Sequence, residues 1–327
     1  MPVPRRPAMS RFRTILRWMP LVLLSAIWLA PVGCSRTPEP DDDGRVRVLV
    51  SIAPLEGLAR ALAPEGAEVQ TLIPPGESVH RYQLRPEDRA RVARADLVVI
   101  VGLGLEGGAT GLLQQAGDRL VRFDHVVGLE DDHAGHDHAH DHGHDHDHTI
   151  DPHLWLDPEL VTRLVNELEA RLGAIPGVEK AALAQRAEAL RQRVASLDGV
   201  YRERLAPLAG SAIVTHHDAW SRLADRYDLR VAAVLRPVAT GEPTPRELAL
   251  ARAGIERENV RMIFVEPQFD AGLARRLGET SGVRVGVLDP IGTGDWFAMM
   301  EANLEVLAEG LAPAEGARPE QGAGEGP

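Results

Sequence analysis

Short runs rich in Val and Ile alternate with helix-period segments twice along this chain, and that alternation constrains its fold more than any other feature. In the first half, strands are expected at residues 45–52, 68–73, 97–101 and 120–123, with helices at 55–63 and 86–95 and another between the last two strands. In the second half, strands are expected at 211–215, 230–235, 261–265 and 284–288, with helices at 220–227, 244–258, 269–281 and 297–311. A chain that alternates in this way buries its strands by laying them parallel and covering both faces of the sheet with helices. The expected fold class is therefore α/β, with two (β/α) lobes, each carrying a mostly parallel four-stranded sheet.

Between the halves, the segment 158–172 has a helical period and Gly173 as a stop. A longer stretch follows Pro176-Gly177. Residues 179–208 are dense in Ala, Leu, Arg, Gln and Glu, and the only Gly or Pro before the end are Gly199 and Pro207. At ~1.5 Å per residue such a helix spans about 40 Å, enough to run the length of both lobes as a stiff connection. Thr244, Pro245 and Glu247 are placed as the N-cap, first position and capping-box partner of a later helix. The expected organisation is 1–33 as a lipoprotein-type signal peptide, 34–44 as a tether and 45–175 as an N-terminal lobe carrying a His-rich loop at 124–150. A linking helix at 176–208, a C-terminal lobe at 209–311 and a disordered tail at 312–327 complete it. No repeat of 20–50 residues is visible, which argues against a solenoid.

The N-terminus reads as an export signal. Arg5, Arg6, Arg11, Arg13 and Arg17 precede an apolar stretch at 19–32, and ~14 residues are too few for a membrane span of about 20. That stretch ends Pro31-Val32-Gly33-Cys34, similar to a bacterial lipobox, so Cys34 is the expected site of a lipid anchor in the cell envelope. Cys34 is the only cysteine. An intrachain disulfide, a cysteine-rich zinc module and a thiol redox pair are thereby excluded. The net charge of -12 disfavours nucleic acid as a partner.

Histidine is the outlier, with 13 in the chain and eight of them between His133 and His148. From His136 to His148 every even position is His, with mainly Asp between. Low complexity and charge predict a mobile loop, and neutral imidazoles favour zinc, copper and nickel over calcium and magnesium. So regular a repeat specifies no fixed geometry, so several weak, exchanging sites are expected there. A purely solubilising linker is the plainer alternative.

Five histidines lie outside the repeat: His80, His125, His153, His216 and His217. His80, His153 and His217 each follow the carboxyl end of an expected strand, and Asp289 does the same. Ligands of open α/β sheets bind at those ends. Two candidates come from each half, so a cleft between lobes would close on one ion, and three imidazoles with one carboxylate suit tetrahedral Zn²⁺. Taken alone, a histidine at a strand end is more often structural, and Asp289 before Pro290 also suits a turn or helix cap.

The segment from Pro74 through His80 to Asp88 resembles the first metal-ligand motif of the zinc/manganese-binding components of ABC importers, the TroA/ZnuA-like cluster. Asp151-Pro152-His153 is similar to the second, and His217-Asp218-Ala219 to the third, which selects His217 over His216. The stretches Glu266-Pro267-Gln268 and Asp289-Pro290-Ile291-Gly292 resemble the last two. The likeness runs from about Val46 to Leu311. It implies two lobes joined by a rigid helix, a metal held in the cleft by His80, His153, His217 and Asp289, and delivery to a membrane permease with its ATPase. It also implies a Glu or water as fourth ligand in some members, with Glu77 an alternative donor here.

By the same resemblance, many manganese members carry Glu where His217 stands, and harder carboxylates suit Mn²⁺. Zinc is therefore the expected cargo, a transported ligand and not a resident cofactor, with manganese the alternative. A monomer without enzymatic activity is expected. Two rival functions are a zinc hydrolase, disfavoured because four ligands would leave no open position and no His-Glu-x-x-His motif is present, and an envelope zinc buffer or adhesin. Glu266 and Asp218 are candidate partners orienting a ligand histidine, and Trp155, Trp220 and Trp296 are expected as cleft packing.

Overall fold

Eight short strands assemble into two separate four-stranded sheets with the same winding. The computed structural model describes residues 44–129, 150–236 and 244–313. The expected signal peptide, Cys34, the eight repeat histidines and nearly all of the expected tail lie outside the described residues.

The first lobe runs β1 (Arg47–Val50), α1 (Ala53–Leu62), β2 (Glu68–Thr71), α2 (Pro86–Arg94), β3 (Leu97–Ile100), the one-turn α3 (Thr110–Leu113), β4 (Leu120–Arg122) and the one-turn α4 (Phe123–Val126). Its sheet order is β2-β1-β3-β4 with every pairing parallel. After α5 (Pro158–Gly173) and α6 (Lys180–Leu205) the second lobe follows. It runs β5 (Ala212–His217), α7 (Ser221–Arg226), β6 (Arg230–Arg236), α8 (Pro245–Arg257), β7 (Met262–Val265), α9 (Gly272–Ser281), β8 (Arg284–Val287) and α10 (Trp296–Leu311). Its order is β6-β5-β7-β8, again all parallel. Each sheet thus reverses direction between its first and third strands, β1 and β3 in one lobe and β5 and β7 in the other. That reversal opens a crevice beyond their carboxyl ends.

The linking helix α6 has 26 residues, about 39 Å of helix. It buries Leu183, Ala187, Leu190, Val194, Leu197, Tyr201 and Leu205, a stripe at three- and four-residue spacing. Tyr201 donates its hydroxyl hydrogen to the Met300 carbonyl oxygen at 2.6 Å, tying the helix to α10. No described helix is long and apolar enough to cross a membrane.

Period two governs the second sheet. Ile213, Met262 and Phe264 join the large core shared with the first lobe, whereas Val214, Ile263 and Val265 join a smaller one beneath α8 and α9. Successive side chains of a strand point to opposite faces, so each face of this sheet has its own core. The lobes also meet closely at Gly57 on α1. A Cβ there would stand 2.3 Å from the Gly294 carbonyl oxygen, so only glycine admits that approach.

Most differences from the expected boundaries are end effects. Strand β2 ends at Thr71, although the amides of Leu72 and Ile73 still bond Val50 and Ser51. The expected helix between β3 and β4 is broken into short turns, with Gly117 at φ 57° interrupting them. One difference matters for the site. Strand β5 extends to His217, two residues past its expected end, because it is a central strand whose six residues are all buried.

Candidate metal centre

His217 closes β5, and its parity sets its direction. It shares a face with Ile213 and Thr215, the face turned toward the first lobe. His216 points to the other face, where its ring stands edge-on to Phe269 at 4.7 Å between centroids. Glu266 follows β7 directly, so His217 and Glu266 come from the two strands flanking the crevice of the second sheet. The Glu266 carboxylate accepts a hydrogen bond from His217 Nδ1. A carboxylate can only accept, so Nδ1 carries the proton and Nε2 presents its lone pair.

From the first lobe, His153 precedes a 3-10 turn at Leu154–Leu156. Its ring Nδ1 and its main-chain amide both bond Asp151 Oδ1, at 2.7 and 2.9 Å, so the same tautomer follows. Trp155 Nε1 donates to the Pro290 carbonyl at 2.5 Å, and Trp296 Nε1 donates to the Trp155 carbonyl at 2.8 Å. These bonds fasten the His153 segment to the second lobe. Burial pushes the Asp151 carboxyl up, but its bonds with His153 and the charge of Arg222 outweigh this and hold it below its usual value.

The consequence is an arrangement with two lone pairs facing each other. His153 Nε2 and His217 Nε2 are 3.2 Å apart. Two ligands at Zn–N distances of about 2.0–2.1 Å in a tetrahedron stand roughly 3.3 Å apart, so this pair already has the spacing of a tetrahedral edge. His80, on a 3-10 turn at Val79–Arg81, supplies the third ring, with ligand atoms of all three within 4.8 Å of one another. Its Nε2 is buried without a hydrogen-bond partner. Burial first, and then repulsion from His153 and His217 in their charged forms, lowers its pKa to about 4. His80 is therefore neutral at pH 7. Three imidazoles, two held by carboxylates and one whose Nε2 has no partner, form a donor set suited to a borderline-soft cation.

Asp289, the fourth candidate, lies outside the group that the three rings form. Its Oδ1 accepts from the amides of Ile291 and Gly292 and from Gln268 Nε2, each at 3.0 Å. Its own amide and carbonyl bond the Asn303 side chain. A carboxylate so placed organises the turn after β8, whose next residues, Pro290 and Ile291, line the site cavity beside Gln268 and Glu77. Glu77 is drawn toward Arg85 at 2.5 Å.

Of the two candidate orienting residues, Glu266 holds a ligand ring, while Asp218 accepts from the Ser221 hydroxyl at 2.6 Å. Asp151 was not singled out for that role, although its place two residues before His153, within reach of amide and ring alike, is the signal that marks it. Trp155, Trp220 and Trp296 are fully buried, and His125 is exposed.

The family model for the periplasmic zinc-uptake complex component A matches residues 48–310. A high-affinity zinc uptake system protein, ZnuA of Haemophilus ducreyi, is 31% identical over 266 residues, covering 75% of this chain and 84% of that protein. The zinc-binding lipoprotein AdcA of Streptococcus pneumoniae strain R6 is 26% identical over 305 residues, 88% of this chain. The chain spans only 60% of that lipoprotein's length. Among solved structures, a crystal structure of ZnuA superposes with a TM-score of 0.70 at 23% identity, covering 82% of this chain and 100% of that one. That likeness shows the fold.

Proposed function

We propose, because this chain belongs to the periplasmic zinc-uptake complex component A family, that it is the zinc-binding component of an ABC importer. It takes up Zn²⁺ in the cell envelope on His80, His153 and His217 and delivers the ion to a membrane permease driven by its ATPase. The observation that carries this reading is the 3.2 Å approach of His153 Nε2 and His217 Nε2 from opposite lobes, the spacing of two ligands on one tetrahedral ion. The protein acts as a monomer, tethered through a lipid on Cys34, with the lobes and linking helix divided as the sequence suggests.

With Asp289 engaged in its turn, the fourth position falls to water or to a donor from the cavity wall. Three imidazoles around an open position also suit a catalytic zinc, so the ligand count alone does not exclude hydrolysis. Membership of a transport-component family does that, and the metal here is cargo. Imidazole donors favour zinc over manganese. The histidine repeat adds weak, exchanging sites that raise the local zinc concentration.

Zinc titration by calorimetry tests the reading. The full chain should show one tight site above several weak ones, and deletion of residues 133–148 should remove the weak ones and spare the tight one. Loss of the tight site on that deletion would make the repeat the receptor and refute the cleft assignment.

A further inference from the structure

Asp151 holds His153 through one oxygen only. Its other oxygen, Oδ2, is buried and has no hydrogen-bond partner. The charge that faces it comes from the opposite lobe. Arg222, on α7, places Nε 3.8 Å from Oδ2, and the two side chains are 20% and 13% exposed. The same guanidinium donates from Nε and from a terminal nitrogen to the Asp151 main-chain carbonyl, at 2.9 and 2.6 Å. Arg222 therefore grips the backbone of Asp151 and balances the charge of its carboxylate. A buried carboxylate oxygen without a donor is costly unless a cation faces it, and a ligand imidazole is only as well aimed as the group that holds its far nitrogen.

We propose that Arg222 is a positioning residue of the metal site, reaching across the cleft to fix Asp151 and, through Asp151, the tautomer and direction of the His153 ring. The second lobe then contributes twice to the site, once through His217 and once by aiming the first lobe's ligand. Binding geometry is thereby tied to the apposition of the lobes: if α7 moves away, Asp151 loses its counter-charge and its backbone anchor together, and His153 loses its aim. This inference rests on the three-imidazole reading above.

The test is a double-mutant cycle in the full chain, with Zn²⁺ affinity read by competition against a chromophoric chelator. Arg222→Gln should weaken binding about tenfold, and Asp151→Asn by a similar factor. The double variant should match Asp151→Asn within about twofold, because the two residues act through one contact. Arg222→Lys, which keeps the charge and a donor, should lie between wild type and Arg222→Gln, and the visible spectrum of bound Co²⁺ should shift in Arg222→Gln. Unchanged zinc affinity in Arg222→Gln, or losses that multiply in the double variant, would overturn the proposal. Should Arg222→Gln not fold, Arg222→Lys takes its place in the same cycle under the same criteria. Retention of the tight site in His153→Ala would instead defeat the three-imidazole reading and this inference with it, a failure visible before any arginine variant is compared.

Discussion

The two lobes bring different kinds of donor to one site. His217 belongs to a central strand, is buried, and is held by a carboxylate just past the end of the adjacent strand, 49 residues away in sequence. His153 is held by a carboxylate only two residues away. His80, also from the first lobe, sits on a loop turn with its Nε2 unpartnered. The difference teaches that the site is half prepared. The His153 and His217 rings are held at ligand spacing by carboxylates, whereas the His80 Nε2 has no hydrogen-bond partner to hold it. Holding two rings lowers the ordering cost of binding.

This comparison can be broken most directly at the ligands. With tight structural zinc worth ~10–16 kcal/mol over four ligands, one ligand is worth roughly 3 kcal/mol. His153→Ala and His217→Ala should each weaken zinc binding about a hundredfold or more on that scale, measured by chelator competition. His80→Ala should cost less, about tenfold, because the prepared pair survives. An equal loss in all three would show that the rings are equally prepared. Glu266→Gln should follow, with a loss of about tenfold to a hundredfold while the melting temperature of the zinc-free protein changes little. Such a result would locate its effect in aiming His217.

Asp289→Ala sharpens the comparison from the other side. It removes the acceptor of three hydrogen bonds and should destabilise the fold by roughly 2–3 kcal/mol in denaturant unfolding. Zinc affinity should stay within a few-fold of wild type. Abolished zinc binding in a folded variant would mean that the carboxylate turns from its amides to the metal.

A further expected effect, separate from metal affinity, is on the pH dependence of stability. His80 and His216 both have pKa values lowered from 6.5 to about 4, chiefly by burial. Unfolded, they take up protons as the pH falls through 6.5; folded, they resist until about pH 4. The unfolded state thus binds more protons within this window, so the zinc-free protein should lose stability steadily as the pH falls from about 6.5 to 4 from these two rings. Their contribution should be flat above that window and add no further loss below it. Thermal melts across that range, compared with His216→Ala, isolate the share of the ring that is not a ligand. A profile unchanged by that substitution would show that burial of His216 carries no such cost.

Much of the fold was legible in the chain because Val- and Ile-rich runs and helix-period segments are local patterns, and parallel sheets follow from their alternation. The candidate ligands were legible for a similar reason: His217 ends a strand, and His80 and His153 each follow one in the sequence, beyond the ends where such sheets bind ligands. Where β5 ends was less legible, since only burial on both faces carries the strand on to His217.

What the sequence determined by itself was therefore the alternation, the helix long enough to span both lobes, and the histidines offered to a cleft. What the tertiary structure alone decided was which ring nitrogen each pinned histidine presents, and that Asp289 serves a turn while Asp151 and Glu266 serve the ligands. Those outcomes depend on hydrogen bonds at the carboxyl ends of strands, where a carboxylate goes to whichever donors the folded backbone brings within about 3 Å. A residue's type fixes what it can bond, and only the packing of the two lobes fixes what it meets.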